Sequence, residues 1–378
     1  MTLPPLSLYI HIPWCVQKCP YCDFNSHSQK GQKIPEKEYV QHLLSDLRND
    51  APLTSGRPIH SIFIGGGTPS LLSGEAMHTL LDGVRAITPL APNAEITLEA
   101  NPGTVETGRF SEYVAAGVNR ISIGVQSMQQ DKLAALGRIH SSDEAKNAAK
   151  QAHEVGLRSF NLDLMHGLPG QSVNDALSDL KQAIALNPPH LSWYQLTIEP
   201  NTQFYSKPPT LPEDDTLWDI QEQGQALLRE AGYMQYEISG YAKLGHQCQH
   251  NLNYWRFGDY IGIGCGAHGK ITQSDGTIMR TEKVKHPRGY MDLTKPYLYR
   301  DWPVTEDERP FEFMMNRLRL VEPCPVHDFV SYTGLPLQRI EAQLGTAQEQ
   351  GLISNDKTHI RVTERGHRYL NELLELFV

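Results

Sequence analysis

The stretch SIFIGGGTPSLLSGEAMHTLLDGVRAITPLAPNAEITLEA, residues 61–100, decides the reading of the fold. SIFIGG (61–66) is a short apolar run closed by glycine, as strands are. GEAMHTLLDGVRAI (74–87) follows with apolar residues at helical spacing, and EITLEA (95–100) is strand-like again. Strand, amphipathic helix, strand is the repeating unit of a parallel sheet covered by helices. Working outward, LSLYIHI (6–12), RISIGV (120–125), SFNLDLM (159–165) and HLSWYQLTI (190–198) are further strands. PEKEYVQHLLSDLR (35–48), DEAKNAAKQAHEVG (143–156) and SVNDALSDLKQAIAL (172–186) are further helices. The expected fold is therefore α/β, a partial (β/α)6 barrel whose curved sheet stops short of the full eight units. Its functional loops belong at the carboxyl ends of the strands.

Beyond that core, EPNTQFYSKPPTLPEDD (199–215) reads as a long Pro-rich loop, and a helix follows at about 214–231. An aromatic and Gly-rich segment runs to about 300. From 308 the pattern is helix, loop, helix, then THIRVTERG and a closing helix, NELLELF, which resembles a winged helix. The division that follows is 1–235 for the barrel, 236–305 for the extension and 306–378 for a smaller α+β C-terminal domain. Residues 336–378 carry five Lys/Arg against six Asp/Glu, so the tail offers no basic face to DNA and suits packing or partner docking.

Composition agrees with a globular chain: 39% hydrophobic, 20% charged, 30 Gly and 25 Pro exclude disordered, collagenous and coiled-coil classes. A net charge of −9 disfavours nucleic acid and anionic lipid as partners. No apolar run approaches the ~18 residues of a membrane span. The N-terminus lacks the basic start of a signal peptide, and the expected location is the cytoplasm. Six cysteines there are thiols, metal ligands or catalytic groups, not a disulfide framework.

Three of them, Cys15, Cys19 and Cys22, form CxxxCxxC directly after the first strand. Thiolates at this spacing reach three corners of a cubane iron–sulfur cluster and leave the fourth iron open to a small molecule. Structural zinc is the alternative, and its fourth ligand would be His11 or His27. At the strand ends stand Gly65-Gly66-Gly67 with Thr68, then Glu99, Gln126 and Asp163. No Gly-Lys-Ser/Thr follows the glycines, which excludes a phosphate loop. Each polar residue alone reads equally as a core hydrogen bond or helix cap; together they favour a shared ligand in a cleft at that edge. Arg138, after the fourth strand, is placed to meet a carboxylate or to lie in solvent.

CxxxCxxC with Tyr21 before its last Cys resembles the signature of the radical S-adenosylmethionine (SAM) superfamily. In that family a 4Fe-4S cluster binds SAM at its open iron and delivers one electron to it. YIHIPWC, GGGTP, EANPG, GVQS and DLMHGLPGQ narrow the likeness to the oxygen-independent coproporphyrinogen III oxidase family, over roughly residues 8–270 and weakly into the tail. That resemblance implies Cys15, Cys19 and Cys22 as cluster ligands, with Tyr9, Tyr21, Gly66, Gly67, Thr68, Glu99, Gln126, Arg138 and Asp163 around the SAM.

Two departures separate the chain from the decarboxylating oxidases. Those enzymes carry a further Cys where this chain has Phe24 after Cys22-Asp23, and a longer arm where only fourteen residues precede Cys15. Both departures match the oxidase-like relatives described as heme chaperones, the HemW group. That group has an HNxxYW motif, present here from His250 to Trp255 within CQHNLNYWRFGDYIGIGCGAHG. His250 is the candidate heme ligand, with His246, Cys248, Cys265 and His268 as rivals and an aromatic core turn as the other reading. Cys324, between prolines, reads as structural. The resemblance implies heme as cargo, a heme-receiving respiratory protein as partner and a cluster acting as sensor or as the switch for a homodimer. The competing expectation is an enzyme that decarboxylates coproporphyrinogen III.

Overall fold

In the computed structural model, which describes residues 3–104 and 108–378, a 12-stranded sheet runs through most of the chain. Six strands lie side by side in chain order: β1 (Leu6–Ile12), β2 (Ile59–Gly66), β3 (Leu90–Ala100), β4 (Arg120–Gln126), β5 (Ser159–His166) and β6 (His190–Gln195). Each pairs in parallel with the next. Their apolar residues are buried on both faces, as a parallel sheet under helices requires. The helices start where their sequences supply caps. Ser141 and Glu144 form a capping box at Ser142–Glu154, and Ser172 and Asp175 form another at Val173–Ala185. The sheet stays open, with Leu298–Pro303 at one edge and Met234–Gln235 at the other.

Residues 236–305 continue this sheet. Asp259–Ile263 lies parallel to β1 on its free side, which makes a seventh parallel strand. Its sequence, DYIGI, is short and interrupted by glycine, so its strand character is muted. His268–Thr272, Ile278–Lys283 and Leu298–Pro303 then extend the sheet antiparallel. The Pro-rich segment is more ordered than a plain loop: Thr202 caps the short helix Gln203–Ser206, and Phe204 packs 6.3 Å from the ring of Tyr21.

The tail holds three helices before its hairpin, where the sequence suggests two: Arg309–Arg317, Val326–Thr333 and Glu341–Glu349. A small antiparallel sheet joins Cys324–Pro325, His359–Val362 and Ile353–Asn355, and two short helices close the chain. Its core of Phe313, Phe329, Leu344 and Ile360 closes around Ile278 of the main sheet and Phe257 in the turn before the strand Asp259–Ile263. At the seam, Arg256 donates to both carboxylate oxygens of Glu322 at 2.8 and 2.7 Å, and Arg317 adds a third bond at 2.7 Å. Forked Arg–carboxylate pairs of this kind fix geometry as well as add energy. Among the described residues, no helix is long and apolar enough to cross a membrane.

Candidate cofactor cleft

The carboxyl ends of β1 to β6 surround a cleft of about 380 Å³. Cys15, Cys19, Cys22, Tyr21, Gly66, Gly67, Thr68, Glu99, Gln126, Arg138 and Asp163 all line it. The cysteine loop and the glycine loop are laced together at its rim. Gly67 N donates to the Ile12 carbonyl at 2.7 Å, and Thr68 N donates to that of Trp14 at 2.8 Å. Gly66 has φ +118°, and a Cβ there would stand 2.7 Å from the His11 ring, so only glycine fits. At the far end of the cysteine loop, Asn25 Nδ2 donates to the carbonyls of Cys265 at 3.1 Å and Lys285 at 2.8 Å. Gly266 makes that approach possible, since a Cβ there would lie 2.3 Å from Asn25 Nδ2. The GIGCGAHG glycines thus seat the cysteine loop.

Burial raises the thiol pKa of Cys15 and of Cys22, so both hold their protons until a cation takes their place. Among the described residues Arg138 meets no carboxylate. Its Nη1 donates to Cys19 Sγ at 3.7 Å and its Nη2 to the Gly124 carbonyl at 2.7 Å. Gln126 closes β4 at φ +68°, beside a register shift in the β4–β5 pairing that turns its side chain into the cleft. Its Oε1 and the Arg138 Nε are buried without hydrogen-bond partners among the described residues. Orphaned polar atoms in the wall of a cleft mark the seat of a polar ligand. Glu99 accepts from Gly66 N at 3.1 Å. Burial, reinforced by the Asp163 charge, pushes its pKa up to about 8. A carboxyl so poised becomes a strong anion once a cationic ligand arrives.

Tyr9 stands a layer deeper and does not line the cleft: its hydroxyl meets His11 Nδ1 at 2.9 Å and its ring stacks on Phe63. His11 is fully engaged, because Nε2 also bonds the Asn25 carbonyl at 2.7 Å. That oxygen only accepts, so Nε2 carries the proton and Nδ1 accepts from Tyr9. Burial lowers the His11 pKa to about 4. His27 bonds Asn25 Oδ1 at 3.2 Å. Among the described residues no three His, Cys, Asp or Glu converge on a single ion. His11, with both ring nitrogens engaged, is not free to be the fourth ligand that closed zinc coordination needs. Three thiols, a guanidinium at one of them and unpaired polar atoms opposite fit a cluster with an open corner and a polar ligand beside it.

Sequence reasoning overlooked Ser122, Tyr194 and Glu199, which also line the cleft. Asp163 accepts from Ser122 at 3.2 Å, from Asn161 at 2.8 Å and from Tyr194 at 2.9 Å. Ser122 lies four residues before Gln126 on β4, so alternation along that strand points to it, and Tyr194 stands at the carboxyl end of β6, where cleft residues belong. Below Asp163 the bonds continue down the barrel. Asn161 Oδ1 meets His190 at 2.6 Å, and His190 Nε2 meets the Tyr236 hydroxyl at 2.7 Å.

His250 lies at the opposite end. Its helix, Gln249–Trp255, crosses the amino ends of Asp259–Ile263, β1 and β2 and reaches Glu95 of β3. His250 Nδ1 bonds Ser61 Oγ at 3.0 Å, its ring packs 5.2 Å from Phe63, and burial lowers its pKa to about 3. Asn253 ties the same helix to Ser7 and to the Asp259 carbonyl. Among the rivals, burial pushes the pKa of Cys248 and Cys265 up to about 12, His246 bonds Ser159, and His268 is exposed. Cys324 is buried in the tail core.

Residues 9–183 match the family model of the Radical SAM superfamily, and residues 304–369 match that of the HemN C-terminal domain. Fold and cleft are those of a radical SAM protein with a HemN-type tail. The solved structure of the coproporphyrinogen III oxidase HemN from Escherichia coli superposes with a TM-score of 0.84, covering 99% of this chain and 90% of that one. At 23% identity it establishes the fold alone. The chain is 65% identical over 376 residues to "Heme chaperone HemW" of Escherichia coli (strain K12), covering 100% of this chain and 99% of the relative. It is 59% identical over 380 residues to the protein of that name in Haemophilus influenzae, covering 100% and 98%. The chain belongs to the HemW family.

Proposed function

We propose that this protein is a heme chaperone: it binds heme and hands it to a heme-requiring protein of the respiratory apparatus, from the cytoplasm. The observation that carries this reading is identity along the whole length to proteins named heme chaperone HemW. The cleft supports a 4Fe-4S cluster on Cys15, Cys19 and Cys22, with SAM beside it. When bound, that pair supplies a one-electron source. The chain's own part is to bind and orient. Arg138 holds Cys19, the glycine loop admits the ligand's polar end, and Glu99 and Asp163 face its cationic groups. A homodimer that forms when the cluster is loaded belongs to the same proposal.

The test is an anaerobic heme titration followed in the Soret region, then transfer to an apo respiratory hemoprotein. Stoichiometric binding and reconstitution of the acceptor are expected. A wild-type protein that binds no heme overturns the reading. Coproporphyrinogen III incubated with the reduced protein and SAM is expected to be recovered unchanged, and protoporphyrinogen formation would restore the oxidase. Size exclusion of cluster-free and cluster-loaded protein tests the dimer, which equal masses would refute.

A further inference from the structure

A second concavity, of about 770 Å³, lies between the helix Asp214–Glu230, the edge strand Met234–Gln235 and the tail helix Glu364–Arg368. This volume falls within the range of sites that hold cofactors. The groove adjoins the cofactor cleft, since Gln195 lines both. Barrel and tail each supply a wall, so it exists only because the two pack together.

The chemistry of the walls is specific. Trp218 offers its ring at 45% exposure, with the Arg368 guanidinium 4.9 Å from the ring centre. Arg368 is paired with Glu364 at 2.9 Å, whereas Arg229 has no ion-pair partner among the described residues. Arg319 stacks 4.3 Å over Trp255, the last residue of the HNxxYW motif, and turns toward the groove beside Glu237. His367 lines the groove half-buried, and no hydrogen bond or ion pair engages its imidazole among the described residues. Burial lowers its pKa, which leaves the ring neutral with a free lone pair. An unengaged neutral imidazole, an indole face and guanidinium groups beside it match the three parts of an iron porphyrin: metal, macrocycle and propionates.

We propose that heme is held in this groove, with His367 as the iron ligand, Trp218 against the macrocycle, and Arg229 and Arg319 facing the propionates. This rests on the heme-chaperone reading and adds the place of binding to it. His250 is the rival, and it stands beneath the barrel with its ring against Phe63 and bonded to Ser61. The HNxxYW motif then serves heme at one remove, by placing Trp255 under Arg319.

The experiment is an anaerobic hemin titration of the full-length wild type and of His367→Ala, Ala226→Trp and His250→Ala, read by Soret position and intensity. Ala226 lies exposed on the groove-facing helix, so tryptophan there fills the groove without entering the core. His367→Ala and Ala226→Trp are expected to weaken binding at least tenfold. Added imidazole should restore the Soret band in His367→Ala, and His250→Ala should titrate like the wild type. A wild-type titration by His367→Ala or by Ala226→Trp overturns the proposal, as does loss of binding confined to His250→Ala. Both results leave the chaperone reading standing, because the wild type still binds heme. Absence of binding to the wild type is the separate result that defeats that reading.

Discussion

The guanidinium of Arg138 bridges the Sγ of Cys19, 3.7 Å from Nη1, and the carbonyl of Gly124, 2.7 Å from Nη2. One side chain thus ties the cysteine loop to the end of β4 and sets a guanidinium beside the middle sulfur. A charge-assisted bond of this type contributes about 1.5–3 kcal/mol. Arg138→Ala is therefore expected to lower iron retained after anaerobic reconstitution and desalting by roughly tenfold. Arg138→Lys should recover only part of the loss, because lysine lacks the fork.

Substitution of any one of Cys15, Cys19 or Cys22 by alanine is expected to abolish the cluster. Iron and sulfide analysis with the charge-transfer absorption near the visible region checks this. Alanine at Cys248, Cys265 or Cys324 should leave iron content unchanged, since these thiols are buried away from the cleft.

Glu99 has a pKa of about 8 in the folded chain against an ordinary 4.5. Between those values the folded state holds a proton that the unfolded state has lost. The stability this group contributes is complete below pH 4.5 and is lost as pH rises toward 8. From pH 6 to pH 8.5 the ligand-free wild type should lose about 1–2 kcal/mol more than Glu99→Gln, allowing for water in the cleft. Urea titrations of both proteins at the two pH values measure it, and parallel losses would contradict the assignment.

Gly66→Ala combines a left-handed backbone with a clash against His11. A cost of about 1–3 kcal/mol from the backbone alone is expected, together with weakened SAM binding by calorimetry.

Lys283 is buried against Asp46 and Asp50, the latter at 2.7 Å, and Tyr290 also bonds Asp46 at 2.6 Å. Lys283→Met strands the buried carboxylate of Asp46 and should cost about 3–5 kcal/mol in chemical denaturation. Asp46→Asn in the same chain should recover part of it.

Much of this architecture was legible in the residues. Strands β1 to β6 are apolar runs between amphipathic helices, and their polar residues stand where the sheet ends, so the cleft could be drawn before any coordinates. The seventh parallel strand could not, because Gly262 interrupts an already short apolar run. The position of His250 was not legible for a related reason. A motif names a side chain and its neighbours, but the end of the barrel on which a helix lands is decided by long-range contacts such as Asn253 with Ser7 and Glu95 with the His250 amide. His367 carries no local pattern at all; its setting arises only when tail and barrel meet.

Phe257 and Ile278 belong by sequence to the extension of the barrel and by packing to the tail, where Phe257 meets Phe313 edge-on at 5.5 Å. The tail is consequently not a detachable cassette. Cutting the chain near residue 304 would bare two large apolar side chains on the barrel and hollow the fragment removed. Exchanging tails between relatives succeeds only if the residues at 257 and 278 travel with them. Barrel and tail should melt as one piece.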